Sequence, residues 1–281
     1  MKIDPIPGPL GARITGIDLR REPDAETWDA IHRAWLDHLV LVFPGQDLTE
    51  EEQIRFSRHW GDFPVRKRFE DRNSPVSDKS IMLVSNIREN GKQIGSLPDG
   101  EMMFHTDGAY DEHPYRYTLL HAVELPSTGG NTLFANMYMA CDTLPDELKR
   151  RLAGCHGVQG YYADTVDRSR PVAAYSGDFT HPLFIAHEET GRTSLYVSRL
   201  MTLRIPELPQ DESDAVLEAL FDHCERRELI YEHVWTRGDF VMWDNRCTNH
   251  ARTDFPRTER RLLRRTVIQG VRPEPARAVA A

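Results

Sequence analysis

Several things are scarce in this chain, and each scarcity closes off a class of function. Its four cysteines, Cys141, Cys155, Cys224 and Cys247, show no C-x-x-C spacing. That argues against thiolate-bound zinc or iron–sulfur chemistry, and they read as reduced, buried thiols of a cytoplasmic protein. Basic residues are in deficit, 35 Lys and Arg against 44 Asp and Glu, for a net charge of −9. A phosphate-binding surface gives the opposite balance, so no nucleic-acid partner is expected. No apolar run is long enough to cross a membrane, and Met1-Lys2-Ile3-Asp4-Pro5 has no signal-peptide core, so no membrane association is expected either. Internal repeats are absent too. What remains is ordinary: 281 residues, 40% hydrophobic and 28% charged, enough for one domain with a full core.

The hydrophobic pattern predicts many short strands with a few helices. Trp28 to Leu39 places Ile31, Ala34, Trp35 and Leu39 at helical intervals, and Val40-Leu41-Val42-Phe43 then reads as a buried strand ending at Pro44-Gly45. Thr49-Glu50-Glu51-Glu52 is a capping box opening a helix that Gly61 stops. Strands are predicted at Ile81 to Val84, Tyr117 to Leu125, Thr132 to Ala135, Thr193 to Val197, Ile230 to Trp235, Phe240 to Trp243 and Leu262 to Ile268. Asp214 to Arg227 is helix-like. This mainly β pattern with inserted helices suggests a sandwich or jelly roll. One domain is expected over 1–272, followed by a flexible tail over 273–281. Pro64 to Met103 is charged and broken by Pro and Gly, and its place before the next motif suggests an active-site lid. A plain surface loop is the alternative.

That motif is His105-Thr106-Asp107, with His250 far downstream and Arg261 shortly after it. On a strand, residues i and i+2 face the same side, so His105 and Asp107 can reach one metal. Two imidazoles and one carboxylate on a single face suit non-haem Fe(II), leaving positions open for a co-substrate and O₂. The spacing alone is common: His187-Glu188-Glu189 and His223-Cys224-Glu225 share it. His223 falls in a helical stretch where i and i+2 diverge, and His187 opens what reads as a polar turn. His113, His121 and His181 are read as hydrogen-bonded structural histidines. Trp243-Asp244-Asn245-Arg246 is read as a turn positioning His250, with Asp244 and Asn245 bonding backbone. Met102-Met103-Phe104 suits either a pocket wall or ordinary core.

Phe104-His105-Thr106-Asp107, the run Glu124 to Leu133, Trp243-Asp244-Asn245-Arg246 leading to His250, and Arg260 to Thr266 together resemble the taurine/2-oxoglutarate dioxygenase (TauD/TfdA) family of Fe(II)-dependent oxygenases. Gly11 to Leu19 and His181-Pro182-Leu183 also fit, so the resemblance covers nearly the whole chain. It implies a double-stranded β-helix, a jelly-roll, cupin-like fold. It implies iron held by His105, Asp107 and His250, which would also be the catalytic centre, and 2-oxoglutarate and O₂ as co-substrates. The 5-carboxylate of 2-oxoglutarate would fall to Arg261, helped by Thr132. Arginine suits that task because its planar fork stays charged and binds carboxylate bidentately. Strand parity lets Arg261 and Arg265 both look inward. Related halogenases lack the carboxylate, so Asp107 favours oxygenation.

A small-molecule substrate and a homo-oligomer are expected, and the resemblance leaves the substrate open. Arg265 matches an arginine that contacts the sulfonate in the taurine enzyme and lies near the co-substrate in other members. The taurine enzyme's substrate-binding His and Tyr would fall at about Arg66 and Phe69, and its asparagine before the metal motif at Glu101. These departures argue against taurine. A pocket of Arg66, Phe69, Glu101 and Arg265 would suit a larger anionic or zwitterionic molecule, hydroxylated at a C–H bond. Desaturation by the same cofactors, a catalytically silent β-helix binding module and a cupin-type isomerase or hydrolase are the alternatives. All four motif residues are present, which disfavours the silent module. The isomerase or hydrolase would leave Thr132 and Arg261 unexplained.

Overall fold

The computed structural model describes residues 1–64, 80–97, 100–161, 165–168 and 179–277. In chain order these form β1 (Lys2–Pro5), β2 (Ala12–Thr15), α1 (Ala25–His38), β3 (Val40–Phe43), α2 (Glu50–Arg58), β4 (Met82–Ser85), β5 (Arg88–Glu89), β6 (Lys92–Gln93), β7 (Met102–His105), β8 (Tyr115–Glu124) and β9 (Thr132–Asn136). There follow α3 (Met137–Asp142), α4 (Asp146–Leu152), β10 (His156–Gln159), β11 (Phe179–Pro182), β12 (Phe184–Ala186), β13 (Thr193–Leu195) and β14 (Thr202–Arg204). The last elements are α5 (Gln210–Cys224), β15 (Ile230–His233), β16 (Phe240–Asp244), β17 (Thr248–Arg252) and β18 (Leu262–Gln269). The fold is mainly β with a few helices.

Two sheets carry the architecture. A seven-stranded sheet has the order β1-β2-β3-β16-β8-β18-β4, and a four-stranded sheet the order β15-β9-β17-β7. Neighbours are antiparallel throughout both except β2 and β3, which run parallel. Strand alternation decides what each face meets. In β3, Leu41 and Phe43 join Trp28, Ile31 and Trp35 of α1 and Phe56 of α2 in one cluster on the outer face. Val40 and Val42 point the other way, joining Leu120, Leu263 and Trp243 with Phe134 of the smaller sheet. That second cluster is the layer between the sheets. α3 and α5 cover the far side of the smaller sheet through Ala140, Leu217, Leu220 and Phe221.

The local signals hold where chemistry is specific. Thr49 Oγ1 accepts from the Glu52 backbone N–H and Glu52 accepts from the Thr49 N–H, the reciprocal capping box. α1 begins at Ala25 under an Asp24 cap and ends at Leu39, whose φ of 65° breaks the helix. The segment expected to be largely irregular before the metal motif holds the edge strand β4 and the β5–β6 hairpin, with 65–79 and 98–99 outside the described residues. Of the 273–281 tail, 278–281 lie outside the described residues; before them, Ala186 N–H donates to the Glu274 carbonyl and Ala276 N–H to that of Phe184.

Candidate metal and co-substrate site

His105 ends β7, and in register it faces His250 at the middle of β17. Asp107 follows just beyond the strand end. One ligand atom from each of the three residues lies within 4.8 Å of the others, and all three side chains are buried. His105 Nε2 is 3.9 Å from Asp107 Oδ1, and His250 Nε2 is 3.7 Å from Asp107 Oδ2. His105 Nδ1 lies 2.9 Å from the Met103 carbonyl, a bond that places the ring hydrogen there and turns the Nε2 lone pair toward the carboxylate. The intervening residues face the opposite way: Thr106 donates to Asn249 Oδ1 at 2.7 Å, and Asn249 Nδ2 donates to the Val197 carbonyl at 2.7 Å. The first of these bonds ties the chain just beyond β7 to β17, and the second ties β17 to the segment after β13.

The electrostatics suit a cation. Burial drives the pKa of both imidazoles below its ordinary value, so each is neutral and offers a lone pair. For Asp107 burial pushes upward, but the Arg265 guanidinium, with the Thr118 hydroxyl, favours the carboxylate and holds the carboxyl below its ordinary range. Arg265 Nη2 is 2.7 Å from Asp107 Oδ1, and Thr118 donates to Oδ2 at 2.6 Å. Two neutral imidazoles and a carboxylate on one face are the donor set that Fe(II) takes.

Arg261 and Thr132 supply a second fitting feature nearby. Arg261 is 2% exposed, and its side chain donates one hydrogen bond, from Nη2 to the Gly130 carbonyl at 3.1 Å. Its Nε and Nη1 are buried with no partner among the described residues. Burial, with the charge of Arg252, pulls its pKa down to about 9. A buried guanidinium with unused donors is costly unless an anion joins it, and a carboxylate matches its fork. Thr132 accepts from Trp235 Nε1 at 3.0 Å, leaving its own hydroxyl hydrogen for another acceptor. Gly130 makes the approach possible, since a Cβ there would stand 3.0 Å from Arg261 Nε.

His105, Asp107, His250, Thr132, Arg261 and Arg265 all line one cavity of ≈ 170 Å³ between the two sheets. Its remaining walls are largely apolar: Met82, Val84, Leu97, Met102 and Met201, with Tyr110 and Tyr161 stacked at 5.8 Å. Arg264 points outward instead, bonding His121 and the Leu48 carbonyl, as parity requires. Of the other expected pocket residues, Arg66 and Phe69 lie outside the described residues, and Glu101 is exposed and not part of the wall. Sequence reasoning missed Arg252, although its i+2 relation to His250 places it on the same strand face. Met102 lines the cavity, whereas Phe104 belongs to the core beyond.

One expectation holds and one needs correction. His187 opens a turn at Glu188–Thr190 as expected, with its ring buried: its Nε2 lies 2.9 Å from Asp244 Oδ2, and its Nδ1 accepts from the Glu189 and Thr190 N–H groups. His187, Asp244 and Cys247 are close enough to suggest a metal, but both ring nitrogens are engaged and Arg246 already pairs with Asp244. Asn245 does not bond backbone through its side chain; it bridges Trp243 and Thr118. His121 and His181 are structural, bonded to the Gln46 and Asp111 carbonyls.

Comparison with known proteins agrees with this geometry. The profile of the "Taurine catabolism dioxygenase TauD, TfdA family" matches residues 2–267. The chain is 38% identical to pentalenolactone F synthase of Streptomyces avermitilis, covering 95% of this chain and 94% of that protein. It is 30% identical to the alpha-ketoglutarate-dependent 2,4-dichlorophenoxyacetate dioxygenase of Cupriavidus pinatubonensis, covering 91% and 93%. The crystal structure of AAD-2 in complex with Mn(II) and N-oxalylglycine superimposes with a TM-score of 0.81 at 26% identity, covering 98% of this chain and 100% of that one. The chain belongs to the TauD/TfdA family and is an Fe(II)- and 2-oxoglutarate-dependent dioxygenase.

Proposed function

We propose that His105, Asp107 and His250 hold the iron, that Arg261 and Thr132 hold the 5-carboxylate of 2-oxoglutarate, and that the two facing sheets are the halves of a double-stranded β-helix. The observation that carries the co-substrate assignment is the buried guanidinium of Arg261, with two donor nitrogens unpartnered beside the His–Asp–His cluster. When bound, the iron supplies the O₂ activation that couples decarboxylation of 2-oxoglutarate, to succinate and CO₂, with oxidation of a substrate C–H bond. The protein's own residues bind, orient and exclude water. His105 and His250 present neutral nitrogens, Arg265 and Thr118 hold the Asp107 carboxylate, and Arg261 fixes the far end of the co-substrate.

The substrate is a small organic acid with an apolar body. The methionine, leucine and tyrosine walls favour such a body. Arg265 supplies positive charge at the metal end of the cavity, and its Nε has no partner among the described residues. The names of relatives point the same way, since one is a (S)-phenoxypropionate/alpha-ketoglutarate-dioxygenase, 31% identical to this chain. Ser96, Leu97 and Met102 make part of the segment before Asp107 a wall of the cavity, which supports its reading as a cover.

The test is succinate release with Fe(II), ascorbate and 2-oxoglutarate across sulfonates, aryloxyalkanoates, N-acyl amino acids and small carboxylates. Product mass separates an added oxygen from loss of two hydrogens. An aryloxyalkanoate or similar acid should give stoichiometric succinate and oxygenated product. Turnover of sulfonates alone would overturn the substrate reading, and a His250→Ala variant as active as the parent would overturn the metal assignment.

A further inference from the structure

Behind Asp107 lies a buried file of polar side chains that metal ligation does not use directly. Trp243 Nε1 donates to Asn245 Oδ1 at 3.0 Å, Asn245 Nδ2 donates to Thr118 Oγ1 at 2.9 Å, and Thr118 donates to Asp107 Oδ2 at 2.6 Å. All four residues are buried. Trp243 and Thr118 sit directly opposite each other in the β16–β8 pairing. Asn245 occupies the turn after β16, where Asp244 is locked by Arg246 and His187.

The polarity of this file follows from one atom. An indole N–H can only donate, so it must meet the oxygen of the Asn245 amide. That fixes the amide orientation, since the flipped amide would set N–H against N–H. The amide nitrogen then faces Thr118 and fills a lone pair on its hydroxyl oxygen. The single hydroxyl hydrogen is left to Asp107.

We propose that Trp243, Asn245 and Thr118 form a one-way hydrogen-bond chain that sets the rotation of the Asp107 carboxylate for metal binding, with Trp243 as a positioning residue acting at a distance. The proposal rests on the His105–Asp107–His250 metal assignment and goes beyond it. Asp107 receives the Thr118 hydroxyl on Oδ2 and the Arg265 guanidinium on Oδ1, one donor for each oxygen. With both ends pinned, the carboxylate plane cannot turn, and the remaining lone pairs face the two imidazoles. The same indole packs against His250, with ring centroids 4.8 Å apart, so one side chain braces two of the three ligands.

The experiment is anaerobic Co(II) titration of the metal-free enzyme, followed by visible absorption, with folding checked by circular dichroism. Thr118→Val keeps the volume and removes the hydroxyl, and should weaken Co(II) binding about 10-fold or more. Thr118→Ser should restore affinity to within about 3-fold of the parent, because the hydroxyl returns. Trp243→Phe keeps an aromatic ring against His250 but lets the amide flip, and should weaken binding by an intermediate factor. The double variant should bind no more weakly than Thr118→Val, because phenylalanine keeps the ring against His250 and the indole N–H that is lost acts only through the hydroxyl. Parental affinity in Thr118→Val, or losses that add in the double variant, would overturn the chain. Should Thr118→Val not fold, Trp243→Phe with parental affinity overturns it equally. If Co(II) binding to the parent is unaffected by His250→Ala, the metal assignment itself is wrong and this inference goes with it.

Discussion

Among the described residues, Arg261 is the side chain with the most buried donors left without a partner, and that shortage has measurable consequences. Arg261→Ala removes the proposed partner of the co-substrate's 5-carboxylate, at a cost of about 3–5 kcal/mol by analogy with broken buried ion pairs. The apparent constant for 2-oxoglutarate should rise by a factor on the order of 10² or more. Thermal unfolding supplies a second readout. With two unpartnered donor nitrogens, Arg261 adds little to the free protein, so Arg261→Leu should melt at or above the parent without 2-oxoglutarate. The stabilisation that 2-oxoglutarate gives the parent should vanish in the variant. A variant that melts far below the parent would contradict this. Thr132→Val should cost about 1–2 kcal/mol of co-substrate binding, one hydrogen bond to a charged group. The sequence made much of this legible: His105-x-Asp107 and the parity of Arg261 and Arg265 need only strand geometry. It did not reveal Asn245 or His187, because a polar residue in a turn looks the same whether it faces water or a buried partner.

At the scale of elements, the site depends on how β7 is held to β17. Thr106→Val leaves Asn249 Oδ1 without its donor inside a buried contact and should destabilise the protein by about 1–3 kcal/mol in chemical denaturation. Metal affinity should fall with it, since the same bond aligns His105 with His250. If stability and affinity are both unchanged, the tie is incidental. Gly129 is a second tight point of the site: its φ is +72°, and a Cβ would stand 2.2 Å from the Asp254 carbonyl oxygen. Gly129→Ala should therefore cost at least about 1 kcal/mol and raise the constant for 2-oxoglutarate, by shifting Gly130 away from Arg261. β17 itself was illegible in the sequence. Thr-Asn-His-Ala-Arg is buried at every position, yet it shows no hydrophobic alternation. Its burial follows from polar partners on both faces, a property of the assembled sheets. β3 was legible because its four residues are apolar and buried on both faces.

Across the whole molecule, an ion network joins α1, the β8 start, the β12–β13 turn and the β16–β17 turn. Glu189 contacts Arg116, Arg246 and His32. Burial raises its pKa, but the Arg116 and Arg246 charges, the Arg246 hydrogen bond and His32 outweigh it and lower the carboxyl from 4.5 to about 2. A carboxyl with a folded pKa below its unfolded value stabilises the fold above the unfolded pKa and ceases to as pH falls through the folded one. The difference in melting temperature between the parent and Glu189→Gln should therefore be steady above pH 4.5 and close as pH falls toward about 2. A gap that does not change with pH would show that the carboxylate charge is irrelevant.

The strand order has a kinetic corollary. β3 pairs with β16, β8 lies between β16 and β18, and β7 pairs with β17, so neighbours in space are remote along the chain. Large loops must close before any of these pairings is rewarded, which makes folding slow relative to a helical protein of this size. During synthesis, His105 and Asp107 emerge long before His250, and a two-ligand fragment has no third donor and no β17 to brace it. The proposed iron site therefore predicts that the metal enters a finished protein and does not template its folding. Refolding rates should be the same with and without Co(II), while the melting temperature of the folded protein should rise with it.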